Sequence, residues 1–177
     1  MAYIRLPDNL PGMHGLLAFR PAVAPALTAL TQALLCTDEG LSRGERELIG
    51  AYVSALNDCF ICSNVHGAVA QCHLGVDDTF VEKVKADFRQ SGISDKMKAL
   101  LAIAESVQRG GAFVTSEQIA HARHAGAGDL DIHDTVLIAG LFCLFNRYLD
   151  GLGVTSDDTK ETFMERAKKI AAAGYGA

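Results

Sequence analysis

The amino-acid sequence predicts a single all-α domain, and three observations carry that reading. No stretch alternates β-branched with polar residues in the way a half-buried strand requires. Helix-start signals recur: Ser42 with Glu45 and Thr115 with Gln118 both have capping-box spacing. Glycines stand where helices should stop, at Gly75, Gly92, Gly110-Gly111, Gly126, Gly151 and Gly153. At 177 residues, the chain is long enough for one helical core and too short for two ordinary domains.

The first predicted helix runs from Pro21 to Leu35. The second starts after Ser42 and reaches about Asn57, with Leu48, Ile49, Tyr52, Val53 and Leu56 at helical spacing on its core face. Further helices are expected at Phe60 to His73, Asp77 to Arg89, Asp95 to Arg109, Ser116 to Ala125, Asp131 to Leu149 and Ser156 to Ala172. Thr155 with Asp158 is a weaker capping signal for the last of them. The short connections make neighbouring helices antiparallel. Leu74-Gly75-Val76-Asp77-Asp78-Thr79-Phe80 is echoed by Leu152-Gly153-Val154, then Asp157-Asp158-Thr159 and Phe163. A duplicated helix hairpin would produce such an echo, and only its first copy holds a Cys-x-x-Cys.

Composition excludes several function classes. Hydrophobic residues make up 49% and charged residues 21%, which is globular, and apolar enough to predict self-association. The net charge of −5, with no basic cluster, argues against nucleic acid as partner. The N-terminal residues do not read as a signal peptide. The longest apolar run, Val136 to Phe145, falls short of the roughly 20 residues a membrane span needs. The expected location is therefore the cytoplasm. Five cysteines in a reducing compartment should be mostly free thiols. Of these, Cys36, Cys72 and Cys143 lie in apolar helical stretches and are expected as buried small hydrophobes.

The chemistry concentrates in Asn57-Asp58-Cys59-Phe60-Ile61-Cys62-Ser63-Asn64-Val65-His66. Asn57-Asp58 reads as a turn and N-cap, which places Cys59 in the first turn of the next helix. There the free N–H groups and the helix dipole favour a thiolate. Offsets of three and seven put Cys59, Cys62 and His66 on one stripe. Thiol redox chemistry needs such a set: one thiolate to attack, a second thiol to resolve, and a base to take the proton. On the preceding helix, Glu47, Ala51, Ser54 and Asp58 share a face, and in an antiparallel hairpin Glu47 comes opposite His66. The dipole favours Cys59 as the thiolate, whereas a histidine one turn from Cys62 favours Cys62.

The pattern of Glu47, then Cys59, Cys62 and His66, resembles the carboxymuconolactone decarboxylase and alkyl hydroperoxidase D superfamily, in its peroxidase-related branch. Val53-Ser54-Ala55-Leu56-Asn57, Phe145-Asn146-Arg147 and Asp150-Gly151-Leu152-Gly153 share the likeness, which spans about Leu41 to Phe163. The resemblance implies one AhpD-like helical domain over residues 1–177 that assembles into trimers or hexamers. It also implies peroxide reduction through a Cys59–Cys62 disulfide. Cys62 would be the attacking thiol, Cys59 the resolving one, and Glu47 with His66 a proton relay. A second histidine precedes the second cysteine in the best-known hydroperoxidase, and that position is Ile61 here.

The implied partners are a small peroxide and a thiol reductant whose identity stays open. Zinc would need His66 and His73 as additional ligands, and no metal is expected. Nor is an organic cofactor, since the chain has no phosphate-cradling glycine loop or dinucleotide fingerprint. Two other functions stay open: a lactone decarboxylase-type activity, and a non-enzymatic thiol redox sensor. His121 and His124 are expected in solvent, and His133 beside Asp134 near a helix start. Asn146, Arg147 and Asp150 are expected at the site, at an interface or in a buried ion pair.

Overall fold

A computed structural model describes residues 2–7, 10 and 12–175; the ends of the expected 1–177 domain lie outside these. Among the described residues the fold is all-α. The helices are α1 (Met13–Phe19), α2 (Ala24–Leu35), α3 (Arg43–Leu56), α4 (Phe60–Leu74), α5 (Asp78–Asp87), α6 (Asp95–Arg109), α7 (Ser116–His124), α8 (Asp129–Gly151) and α9 (Lys160–Ala173). Short 3₁₀ turns follow α5 and α6. None of the described helices is long and apolar enough to cross a membrane.

Helix α3 is the centre of the molecule. Both halves of the Ser42/Glu45 capping box form at its start, and Gly44 through Ser54 are buried with Glu45 alone half-exposed. It pairs most extensively with α4 and also packs on α6 and α8. Gly50 lets α8 come close, because a Cβ there would sit 2.3 Å from the Phe142 ring. The main core joins the apolar faces of α3, α5, α6 and α8. A smaller cluster gathers Leu16, Cys59, Ile61, Cys62, Val65, Leu149, Val154 and Phe163 at the start of α4.

Arg46 ties these layers together. It is fully buried and donates to the carbonyls of Leu34, Glu39 and Leu41 and, at 2.7 Å, to the Asp134 carboxylate on α8. A charge this deep is tolerable only because each face of its guanidinium fork meets an acceptor.

Several expectations need correction. Helix α1 has no sequence counterpart among the predicted elements. Its seven residues are too few for a periodic signal, and its N-cap Gly12 has no capping side chain. Helix α9 starts at Lys160, capped by Thr159, because the Ser156 hydroxyl engages Asp158 and holds that stretch in a turn. Thr155 is therefore not the cap. Cys36, Cys72 and Cys143 are half-buried rather than buried. The exposed apolar residues Val136, Leu137 and Leu144 share one side of α8.

Candidate active site

The α3–α4 elbow sets the site. Asn57 closes α3, and Asp58 adopts a left-handed φ of 56°, a conformation Asp tolerates better than most residues. Cys59 is then the N-cap of α4 itself, not a residue of its first turn. Its N–H donates to the Ser54 carbonyl at 2.9 Å. A chain of amides braces the elbow: Gln108 donates to Asn57, Asn57 to Asn146, and Asn146 to the Ser54 hydroxyl, at 2.9, 2.8 and 3.0 Å. Asn146 is thus a buried bracing residue. Arg147 is exposed and bonds the Cys143 carbonyl, while Asp150 neighbours the Cys59 sulfur.

Cys59 and Cys62 are both buried, free thiols in mutual contact. The Cys59 thiol is pushed below its ordinary 9.0, first because Cys62 donates its S–H to the Cys59 sulfur and also through the Cys62 backbone N–H. Burial and the Asp150 carboxylate oppose this. Cys62 is pushed up, chiefly because its proton is held against Cys59, with burial adding to the effect. Both shifts run in the direction the helix-dipole argument favours, with Cys59 the more acidic sulfur of the pair. Thiolate ultraviolet absorbance of the reduced protein should therefore appear below pH 9.0 with the amplitude of one thiolate. That transition should vanish in Cys59→Ser, and its survival there would refute the assignment.

Glu47 and His66 meet across the helix hairpin, as their spacing predicts. His66 Nδ1 lies 2.7 Å from Glu47 Oε2, and both residues are buried. Against an ionised carboxylate, which only accepts, Nδ1 is a nitrogen that carries a proton. Nε2 has no hydrogen bond among the described residues, nor is it sealed from solvent without a partner. The Phe142 ring stands edge-on to the imidazole, with centroids 4.5 Å apart.

Sequence reasoning missed one residue here. The Tyr175 hydroxyl donates to Glu47 Oε1 at 2.7 Å and lies 3.0 Å from His66 Nδ1. No periodic or motif signal links position 175 to position 47.

A cavity of about 480 Å³ opens onto this group. Cys62, His66 and Tyr175 line it, and Cys59 does not. Its walls are mainly apolar, including Met13, Leu17, Leu27, Ile61, Phe145 and Ile170. Ile61 is one of those walls. Among the described residues no cluster of His, Cys, Asp and Glu could hold a metal ion. His121 and His124 are exposed, and exposed His133 bonds Asp134 at 2.9 Å.

Solved structures with the same architecture include the AhpD core of an uncharacterized peroxidase-related protein from Ralstonia eutropha JMP134. It is 29% identical, with a TM-score of 0.79 over 88% of this chain and 81% of that one. An uncharacterized peroxidase-related protein from Silicibacter sp. TM1040 is 25% identical, with a TM-score of 0.79 over 92% and 95% of the two chains. A protein of unknown function from Agrobacterium tumefaciens, a putative antioxidant defence protein AhpD, shares the fold. It has 19% identity and a TM-score of 0.68 over 88% of this chain and 100% of that one. No curated protein matches the sequence. The model of the carboxymuconolactone decarboxylase family matches twice, at residues 21–84 and 75–157. Two successive matches fit a repeated helical unit, of which the first holds Glu47, Cys59, Cys62 and His66. Together these matches span most of the helical core, and the chain belongs to the carboxymuconolactone decarboxylase family.

Proposed function

We propose that the chain is a thiol-dependent reductase of organic hydroperoxides that cycles through a Cys59–Cys62 disulfide. The observation that carries this reading is the opening of one apolar cavity onto both Cys62 and His66, with Cys59 directly behind and Glu47 holding the imidazole. The peroxidase-related relatives from Ralstonia and Silicibacter support it.

Cys62 attacks, because it is the sulfur that borders the cavity. As it does so, the proton it shared with Cys59 at rest passes to His66 Nε2 on the same cavity. The sulfur bonds the terminal peroxide oxygen, the O–O bond breaks, and the departing alkoxide takes that proton and leaves as the alcohol. Cys62 is then a sulfenic acid. The Cys59 thiolate attacks its sulfur, the S–S bond forms, and hydroxide departs and is protonated to water. The net change is two thiols and one hydroperoxide to one disulfide, one alcohol and one water. An external thiol reductant returns the pair to its starting state. The apolar walls suit a hydroperoxide with a hydrocarbon body, whose burial contributes about 25 cal/mol per Å².

The test is stoichiometric. Reduced protein mixed with limiting cumene hydroperoxide should lose two thiols for each molecule of alcohol formed. Alcohol formation without thiol loss, or no alcohol at all, would refute the reading.

A further inference from the structure

The C-terminal end of the chain is built into the site in a way the peroxidase reading does not use. After α9, Gly174 has a φ of +77°, and its N–H donates to the Ile170 carbonyl at 2.7 Å. A Cβ at Gly174 would lie 2.5 Å from the Gln32 side chain. The same Gln32 accepts from the Tyr175 N–H at 2.7 Å. The backbone is thus pinned between α9 and α2, and the Tyr175 side chain turns inward. Its ring stacks on His66 with centroids 5.8 Å apart and planes 24° apart.

The hydroxyl completes the carboxylate. Glu47 Oε2 accepts a hydrogen bond from His66 Nδ1–H, and Oε1 accepts one from the Tyr175 hydroxyl. With both oxygens engaged, the carboxylate cannot rotate away from the imidazole, and the Nδ1–H form of His66 is the one that fits. The hydroxyl proton is not itself available for transfer, since burial and the Glu47 charge push the Tyr175 pKa well above 10.0. Tyr175 therefore acts by holding Glu47 and His66 in place. Ile61 offers no polar group, so this hydroxyl is the third polar member of the relay.

We propose that Tyr175 is a positioning residue that fixes the Glu47 carboxylate and the His66 tautomer, making the last turn of the chain part of the active site. Its kinetic consequence rests on the peroxidase reading, whereas its structural consequence does not. The test uses Tyr175→Phe, which keeps the ring and removes only the hydroxyl, together with a chain ending at Gly174. In reduced wild-type protein without peroxide, the ¹⁵N resonances of His66 should report the Nδ1–H form. In both variants they should move towards a mixture of the two tautomers. With cumene hydroperoxide, the limiting rate of thiol oxidation in Tyr175→Phe should fall about tenfold, the scale of one lost hydrogen bond, at an unchanged half-saturating concentration. Unchanged His66 resonances in Tyr175→Phe overturn the proposal, as does an unchanged limiting rate in an active protein. Wild-type protein that oxidises no thiol overturns the peroxidase reading instead, and the His66 resonances then decide this proposal alone.

Discussion

Cys62→Ser is expected to lower hydroperoxide-driven thiol oxidation by at least about 10³-fold, the scale seen when a nucleophile is removed from a preorganised site. A serine hydroxyl in the same place remains protonated and attacks peroxide oxygen poorly. Its small size preserves the packing around Leu16, Ile61 and Leu149. Cys59→Ser should behave differently. Cys59 does not line the cavity, so the first oxidation should survive and stop at a sulfenic acid on Cys62, trappable with a carbon nucleophile such as dimedone. Stopped-flow thiol consumption and mass spectrometry of the trapped adduct measure both. Equal activity in the wild type and Cys62→Ser would remove Cys62 from its role. Decarboxylation of a lactone acid by a variant lacking both cysteines would support the decarboxylase-type reading instead.

Arg46→Ala should have the largest effect on stability, a loss of about 3–5 kcal/mol. The guanidinium has no exposed surface and serves α2, the loop before α3, and α8 together. Truncation leaves the carbonyls of Leu34 and Leu41 and the Asp134 carboxylate short of a donor inside the fold, and it opens a cavity. Among the described residues Asp134 then keeps exposed His133 as its one side-chain partner. Arg46→Lys should be nearly as damaging, because one ammonium group cannot reach acceptors spread around a planar fork. Urea unfolding measures this through the midpoint at constant slope. A midpoint within error of wild type for Arg46→Ala would show that the carbonyls find other donors.

The parts of the fold legible in the sequence are those written in local spacing. Ser42/Glu45 and Thr115/Gln118 both form the capping boxes their spacing predicts. The hairpin that brings Glu47 to His66 follows from two helical stripes joined by a short turn. What stayed hidden depends on backbone detail or distant contact. Left-handed Asp58 moves Cys59 from the first turn of α4 to its cap, a shift no residue pattern announces. Tyr175 reaches Glu47 across 128 positions through a glycine turn, and no local pattern links the two. Phe142 belongs to the core and also stands edge-on to the His66 imidazole. Arg46 carries no motif or periodic signal of burial, and its four acceptors explain why it is inside.

One molecule of hydroperoxide should oxidise one particular pair of sulfurs. Reduced wild-type protein should be treated with a single equivalent of cumene hydroperoxide, its remaining thiols alkylated, and its peptides mapped by mass spectrometry. An intramolecular Cys59–Cys62 disulfide is expected, with Cys36, Cys72 and Cys143 all alkylated. Oxidation at any of those three while Cys59 and Cys62 remain reduced would contradict it.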